Sequence, residues 1–151
     1  RFIERMPLGP PGTWRAQDVL TADEILGMLR RHFDLALRPA EERGASPAQE
    51  WDVAPGRALG VEHPGGSVGV IASVTRPFCG DCDRTRLTAD GQIRACLFAA
   101  AETDLRGLLR SGCSDEEIAH AWRLAMWGKQ AGHGTDDGFL HPTRPMSAIG
   151  G

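Results

Sequence analysis

The chain has 151 residues, 41% hydrophobic and 25% charged, with a formal net charge of −3, which suits one soluble domain with its own core and argues against nucleic-acid binding by bulk charge. No apolar run approaches the roughly 20 residues a bilayer span needs, so no membrane partner is expected, and no secretory leader is visible. Three of the four cysteines sit in one short stretch, unlike a disulfide scaffold. A reducing, cytoplasmic compartment is the expectation, and there a CxxC reads as metal-binding or redox.

In chain order, "RFIERMP" reads as a short strand, and the absence of an initiator Met raises the prospect of a piece of a longer protein. "GPPGTW" breaks the strand. Thr21 to Glu24 is a capping box, and Ile25, Met28, Leu29 and Phe33 fall at helical spacing behind it, which predicts an amphipathic helix over 22–33. "PAEERGASPA" reads as a polar loop, and "EWDVA", "RALGVE" and "SVGVIASV" as short strands. "TDLRGLLRSG" is a short helix with Gly112 as its cap. Ser114 to Glu117 is a second capping box, and Ile118, Ala121, Trp122, Ala125 and Met126 continue it as a long helix. From Gly132 onward the tail reads as having no regular structure.

"RPFCGDCDRTRLTADGQIRACLF" carries the chemistry. Asp90-Gly91 favours a two-residue type I′ turn. Folding there pairs Thr88 with Ile93, Leu87 with Arg94 and Thr85 with Cys96, returning Cys96 towards the CxxC of Cys79 and Cys82. Three converging thiols point to a metal. Zinc needs a fourth ligand, for which Cys113, His133 and His141 are the candidates, whereas a cluster on three thiolates leaves one iron open. On spacing alone the two stand level. A CxxC disulfide or buried structural cysteines are the plain alternatives. A thioredoxin-like site is disfavoured because a hairpin, not a βαβ unit, follows. Arg84 and Arg86 share a strand face and suit a phosphate or polar heterocycle, or are two solvated arginines. The expected register leaves Cys96 on the face opposite Arg86.

"RFIERMP", "SVTRPFCGDCDRTRLTADGQIRACLF" and "MSAIGG" together resemble the C-terminal portion of the GTP 3′,8-cyclase family, the radical S-adenosylmethionine (SAM) enzymes that open molybdenum cofactor biosynthesis. The resemblance covers essentially the whole chain. It implies an α+β fold, a small antiparallel sheet with packed helices, appended to an incomplete (β/α) barrel mostly absent here. Residues 1–12 would be the barrel's last strand and loop, 13–140 the cluster and GTP domain, and 141–151 an active-site tail. It implies an auxiliary [4Fe–4S] cluster on Cys79, Cys82 and Cys96, whose open iron binds GTP. GTP contacts would come from Arg84, Thr85, Arg86 and Arg1, and a SAM contact from Met6. Gly150 and Gly151 would reach the active site. SAM and a second [4Fe–4S] cluster would belong to the N-terminal barrel, whose CxxxCxxC is missing here. The implied reaction is radical cyclisation of GTP to (8S)-3′,8-cyclo-7,8-dihydroguanosine 5′-triphosphate, a lyase chemistry this chain alone would not perform. The expected partners are GTP and the barrel, with a homodimer left open. Cys113 has no counterpart among the implied ligands. A zinc-stabilised interaction module is the alternative, and a sulfur-carrier reading of the Gly-Gly end is discounted because no β-grasp pattern precedes it.

Overall fold

The computed structural model describes residues 1–10, 12–99, 101–129 and 144–149. The chain divides into two compact units, one of Arg1–Met6 with Arg15–Cys82, the other of Pro7–Trp14 with Asp83–Gly151.

The first unit holds β1 (Phe2–Ile3), α1 (Ala22–Arg30), β2 (Leu35–Leu37), α2 (Ala40–Arg43), β3 (Gln49–Val53), β4 (Gly56–Ala58), β5 (Val61–His63) and β6 (Gly66–Ile71). The capping box is present: the Thr21 hydroxyl accepts from the Glu24 N–H at 3.3 Å, and the Glu24 carboxylate accepts from the Thr21 N–H at 2.8 Å. The helical period then places Ala22, Ile25 and Leu26 inward, where they bury with Trp51 of β3 and Val70 of β6. Met28, expected on that stripe, is exposed because it lies about 100° away from Leu29 around the helix axis. Regular helix ends at Arg30, not at 33. The last turn relaxes as the N–H of Arg31 bonds to Met28 O and that of His32 to Leu29 O.

The sheet order is β1-β6-β3-β2. β6 and β2 flank β3 antiparallel, while β1, the strand expected to belong to a barrel, pairs parallel with β6, which makes the four-stranded sheet mixed. β2 and α2 lie where a loop was expected over 39–48 and its approach. "RALGVE", read as one strand, is instead the β4–β5 hairpin turning on Leu59 and Gly60, with φ of 50° and 84°. Positive φ at both turn positions fits the right-handed twist of paired strands.

Glu4 joins three of these pieces. Its carboxylate is 1% exposed and accepts from the N–H groups of Ala22 (2.7 Å), Val74 (2.8 Å) and Thr75 (2.8 Å), and from the Thr75 hydroxyl. A carboxylate at the first N–H groups of α1 also meets the positive end of the helix dipole.

The second unit holds β7 (Arg86–Leu87), β8 (Gln92–Arg94), β9 (Thr103–Asp104), α3 (Leu105–Arg110) and α4 (Asp115–Trp127). The three strands form an antiparallel sheet in the order β7-β8-β9. α3 starts on the Asp104 carboxylate, which accepts from the Gly107 N–H at 3.0 Å, and α4 starts on the expected Ser114–Glu117 box. Its buried apolar side chains include Ile93, Leu105, Ile149 and Pro7. Ile118, Ala121, Trp122, Ala125 and Met126 are each half-buried, the stripe read from their spacing. No helix among the described residues is long and apolar enough to cross a membrane.

Candidate cysteine centre and its arginines

The CxxC occupies a single 3₁₀ turn, Cys79–Asp81, closed by the Cys82 N–H bonding to Cys79 O at 3.3 Å. Glycine at position 80 and aspartate at 81 favour such a turn over a strand. Cys79 and Cys82 are half-buried, and none of the four cysteines is disulfide-bonded. Asp81 is ion-paired to Arg43 of α2, whose Nη1 also donates to Ser46 O at 3.0 Å. The side chain of Arg43 is 16% exposed, so the hold on the turn is shielded from solvent on the arginine side. Arg43 also lines a cleft of about 150 Å³ with Arg38, Glu42, Gln49 and Glu50; none of Arg84, Thr85 and Arg86 lines it.

The hairpin that carries the arginines forms in a different register from the one expected. Arg86 pairs with Arg94 and Leu87 with Ile93, one residue away from the two-residue turn. The loop is Ala89, Asp90 and Gly91, closed by the Gly91 N–H on Thr88 O and the Thr88 N–H on Gln92 O, both at 2.9 Å. With Gly91 at φ 79° this is the three-residue loop that ends in a left-handed bulge. The cause is remote from the hairpin. Gly91 O accepts from the N–H groups of Leu105 and Arg106 at 3.1 and 3.0 Å, so it satisfies the first turn of α3. The ladder ends at the Arg86–Arg94 pair, two residues short of Cys96.

Arg84 is exposed, and its carbonyl accepts from Lys129 Nζ at 2.6 Å. Thr85 Oγ1 donates to Arg94 O at 3.4 Å. Cys96 is half-buried and opens a turn in which the Ala99 N–H reaches Cys96 O at 3.2 Å. Arg94 is completely buried. Its Nη2 donates to Leu97 O (3.4 Å) and to Ala99 O, and its Nη1 to Glu102. Sequence reading missed Arg94, Glu102, Arg43 and Lys129. An arginine two residues before Cys96 on a strand whose neighbour Ile93 points inward was the one available signal.

Residues 144–149, part of a tail read as having no regular structure, pack within the second unit. Arg144 Nη2 lies 2.8 Å from Asp90 and 3.0 Å from Glu102, Met146–Ala148 form a 3₁₀ turn, and Ile149 is fully buried. The Arg144 hydrogen bond and then that of Thr88 hold the Asp90 carboxyl well below the usual carboxylate range. Arg144 is thus paired with two carboxylates. Arg1 lies against Glu50 at 3.3 Å, and Met6 is half-buried in the first unit. Cys113 follows α3 and sits 3.2 Å from Ser111 Oγ, away from any other cysteine in sequence. Gly150, Gly151, His133 and His141 lie outside the described residues.

Among the described residues no three His, Cys, Asp or Glu side chains stand close enough together to hold a metal ion. The donor set itself is soft: Cys79 and Cys82 are kept three residues apart across one turn, and Cys96 has its turn clamped by a buried arginine. Thiolates of that kind suit zinc or an iron–sulfur cluster in preference to a hard cation.

The chain is a small α+β protein, with a CxxC turn in its first unit and a further cysteine and two arginines in its second. The chain belongs to the Molybdenum Cofactor Synthesis C family, whose pattern matches residues 1–135. Over its whole length it is similar to proteins named GTP 3′,8-cyclase: 58% identical to that of Streptomyces coelicolor, 57% to that of Corynebacterium glutamicum and 56% to that of Mycolicibacterium smegmatis. It spans 42%, 39% and 41% of those proteins, about two fifths of each, and fits their C-terminal portion.

Proposed function

We propose that this chain is the substrate-binding C-terminal part of a GTP 3′,8-cyclase, acting with a radical SAM barrel that precedes it in the full-length enzyme. The observation that carries the reading is the identity of 55% or more over the whole chain to relatives of that name, together with a sequence that keeps CxxC, R-T-R and a third cysteine in one stretch.

Cys79, Cys82 and Cys96 would hold an auxiliary [4Fe–4S] cluster, which when bound supplies an iron open to the guanine of GTP. The chain's own work is positional. Arg84 and Arg86 present two guanidinium forks on one face to the anionic nucleotide. Thr85, tied to Arg94 O, fixes the segment between them. Lys129 holds the Arg84 backbone from the end of α4. Arg1, and Met6 towards SAM, would complete the site in the full-length enzyme, and Gly150 and Gly151 would let the chain end approach the reacting atoms. The radical chemistry belongs to SAM and the clusters, so no acid–base dyad is required of these residues.

The test is GTP binding to the reconstituted full-length enzyme. Arg84→Ala and Arg86→Ala should each weaken binding by roughly tenfold or more, the loss of one charge-assisted contact. The unfolding midpoint of Arg84→Ala should stay near wild type, since Arg84 is exposed and such substitutions usually cost little, and the half-buried Arg86→Ala should lose no more than about 1 kcal/mol of stability. Unchanged GTP affinity with a collapsed midpoint would assign both arginines to the fold.

A further inference from the structure

Burying a guanidinium costs several kcal/mol unless it is fully paired, and Arg94 is 0% exposed with an Nε that has no hydrogen-bond partner among the described residues. A leucine would fill such a site more cheaply. What leucine lacks is the fork. Arg94 Nη2 holds Leu97 O and Ala99 O, the carbonyls one and three residues after Cys96, in a loop with no ladder to satisfy them. Its Nη1 is held by Glu102, the other oxygen of Glu102 is held by Arg144, and Arg144 also grips Asp90 in the hairpin turn. The run Asp90, Arg144, Glu102, Arg94 thus joins the C-terminal segment to the Cys96 loop through ion pairs within one unit.

We propose that Arg94, fixed by Glu102, is a positioning residue for the Cys96 thiol, and that Arg144 extends this hold to the C-terminal segment. This rests on the reading of Cys96 as a ligand only for its purpose; the hold itself is a property of the metal-free chain. Docking the segment and ordering the third thiol are then one event, so a chain end displaced from Asp90 and Glu102 leaves Cys96 less ordered.

The experiment labels the metal-free 151-residue chain with iodoacetamide under native conditions and follows each cysteine by mass spectrometry, with Cys113 as internal reference. Arg94→Ala is avoided as the sole variant because a hole at a buried charge can prevent folding. Glu102→Gln keeps the shape and removes the charge. It should raise the Cys96 rate roughly tenfold, the local opening that loss of one charge-assisted hydrogen bond allows. Arg144→Gln, at the half-exposed end of the run, should raise it roughly threefold. Cys79 and Cys113 should keep their wild-type rates, and the urea midpoint should stay within the range of a single lost ion pair. Equal Cys96 rates in all three proteins would overturn the proposal. So would a parallel rise at all four cysteines with a fallen midpoint, which marks a general structural role. If the chain takes up no iron yet Cys96 responds, the cluster reading falls and the positioning stands. If iron is taken up and Cys96 does not respond, the reverse holds.

Discussion

Glu4 is the residue whose surroundings dictate the sharpest consequence. Burial pushes its carboxyl up, but the Thr75 hydroxyl and the N–H groups of Thr75, Val74 and Ala22 outweigh that and hold it below the ordinary value of 4.5. Replacing it with alanine leaves the buried Ala22 N–H and the part-buried Val74 and Thr75 N–H groups without an acceptor, so Glu4→Ala should lower the unfolding free energy by about 2 kcal/mol, read from urea denaturation. The pH dependence follows in sign. A depressed carboxylate contributes stability that is fully present above its unfolded value near 4.5 and is lost as pH falls through the lower folded value. The urea midpoint of the wild type should therefore drop more steeply below pH 4.5 than that of Glu4→Gln. Parallel curves would assign the acid sensitivity elsewhere. Glu4 was invisible to sequence reading because its partners lie 18 to 71 residues away, and nothing in "RFIERMP" marks one charged residue as buried and the next as exposed. The same reason hides Arg94, whose carbonyl partners become a loop only once β8 and β9 have paired.

At the scale of elements, local signals carried well and long-range ones did not. Both capping boxes are read from four adjacent residues, and both form. β2 has three residues and α2 has four with no buried side chain, too few for a period to stand out; β2 exists because β3 offers Trp51, Asp52 and Val53 to pair with. The hairpin turn was legible, but its register was not. Asp-Gly serves both the two-residue and the three-residue loop, and the choice is made by α3 leaning on Gly91 O. That dependence is testable. At Gly91, φ is 79° and an added Cβ would lie 2.6 Å from Arg106 Cβ. At Gly112, φ is 77° and an added Cβ meets nothing within 4 Å. Gly112→Ala should cost about 1 kcal/mol, the left-handed penalty alone. Gly91→Ala should cost about 2–4 kcal/mol, because a clash between two elements adds to it. Thermal melts of the two variants side by side decide this; equal losses would mean that α3 does not set the turn.

For the whole molecule, the α+β class and the cysteine stretch were legible, and family membership was recognisable from that stretch and the two ends. The division of the chain was not. The two compact units separate after Cys82, so the CxxC belongs to the first and Cys96 to the second, whereas the sequence motif reads as one piece. No pattern in "CGDCDRTRLTADGQIRAC" marks that boundary. Under the proposed function these three thiols would hold one cluster. The measurement that bears on it most directly is iron and acid-labile sulfide per chain after anaerobic reconstitution of the 151-residue protein and its four single Cys→Ala variants. The prediction is about four iron and four sulfide in the wild type and in Cys113→Ala, with loss of both in Cys79→Ala, Cys82→Ala and Cys96→Ala. Stoichiometric zinc in place of iron, or iron that survives Cys96→Ala and is lost with Cys113→Ala, would contradict it.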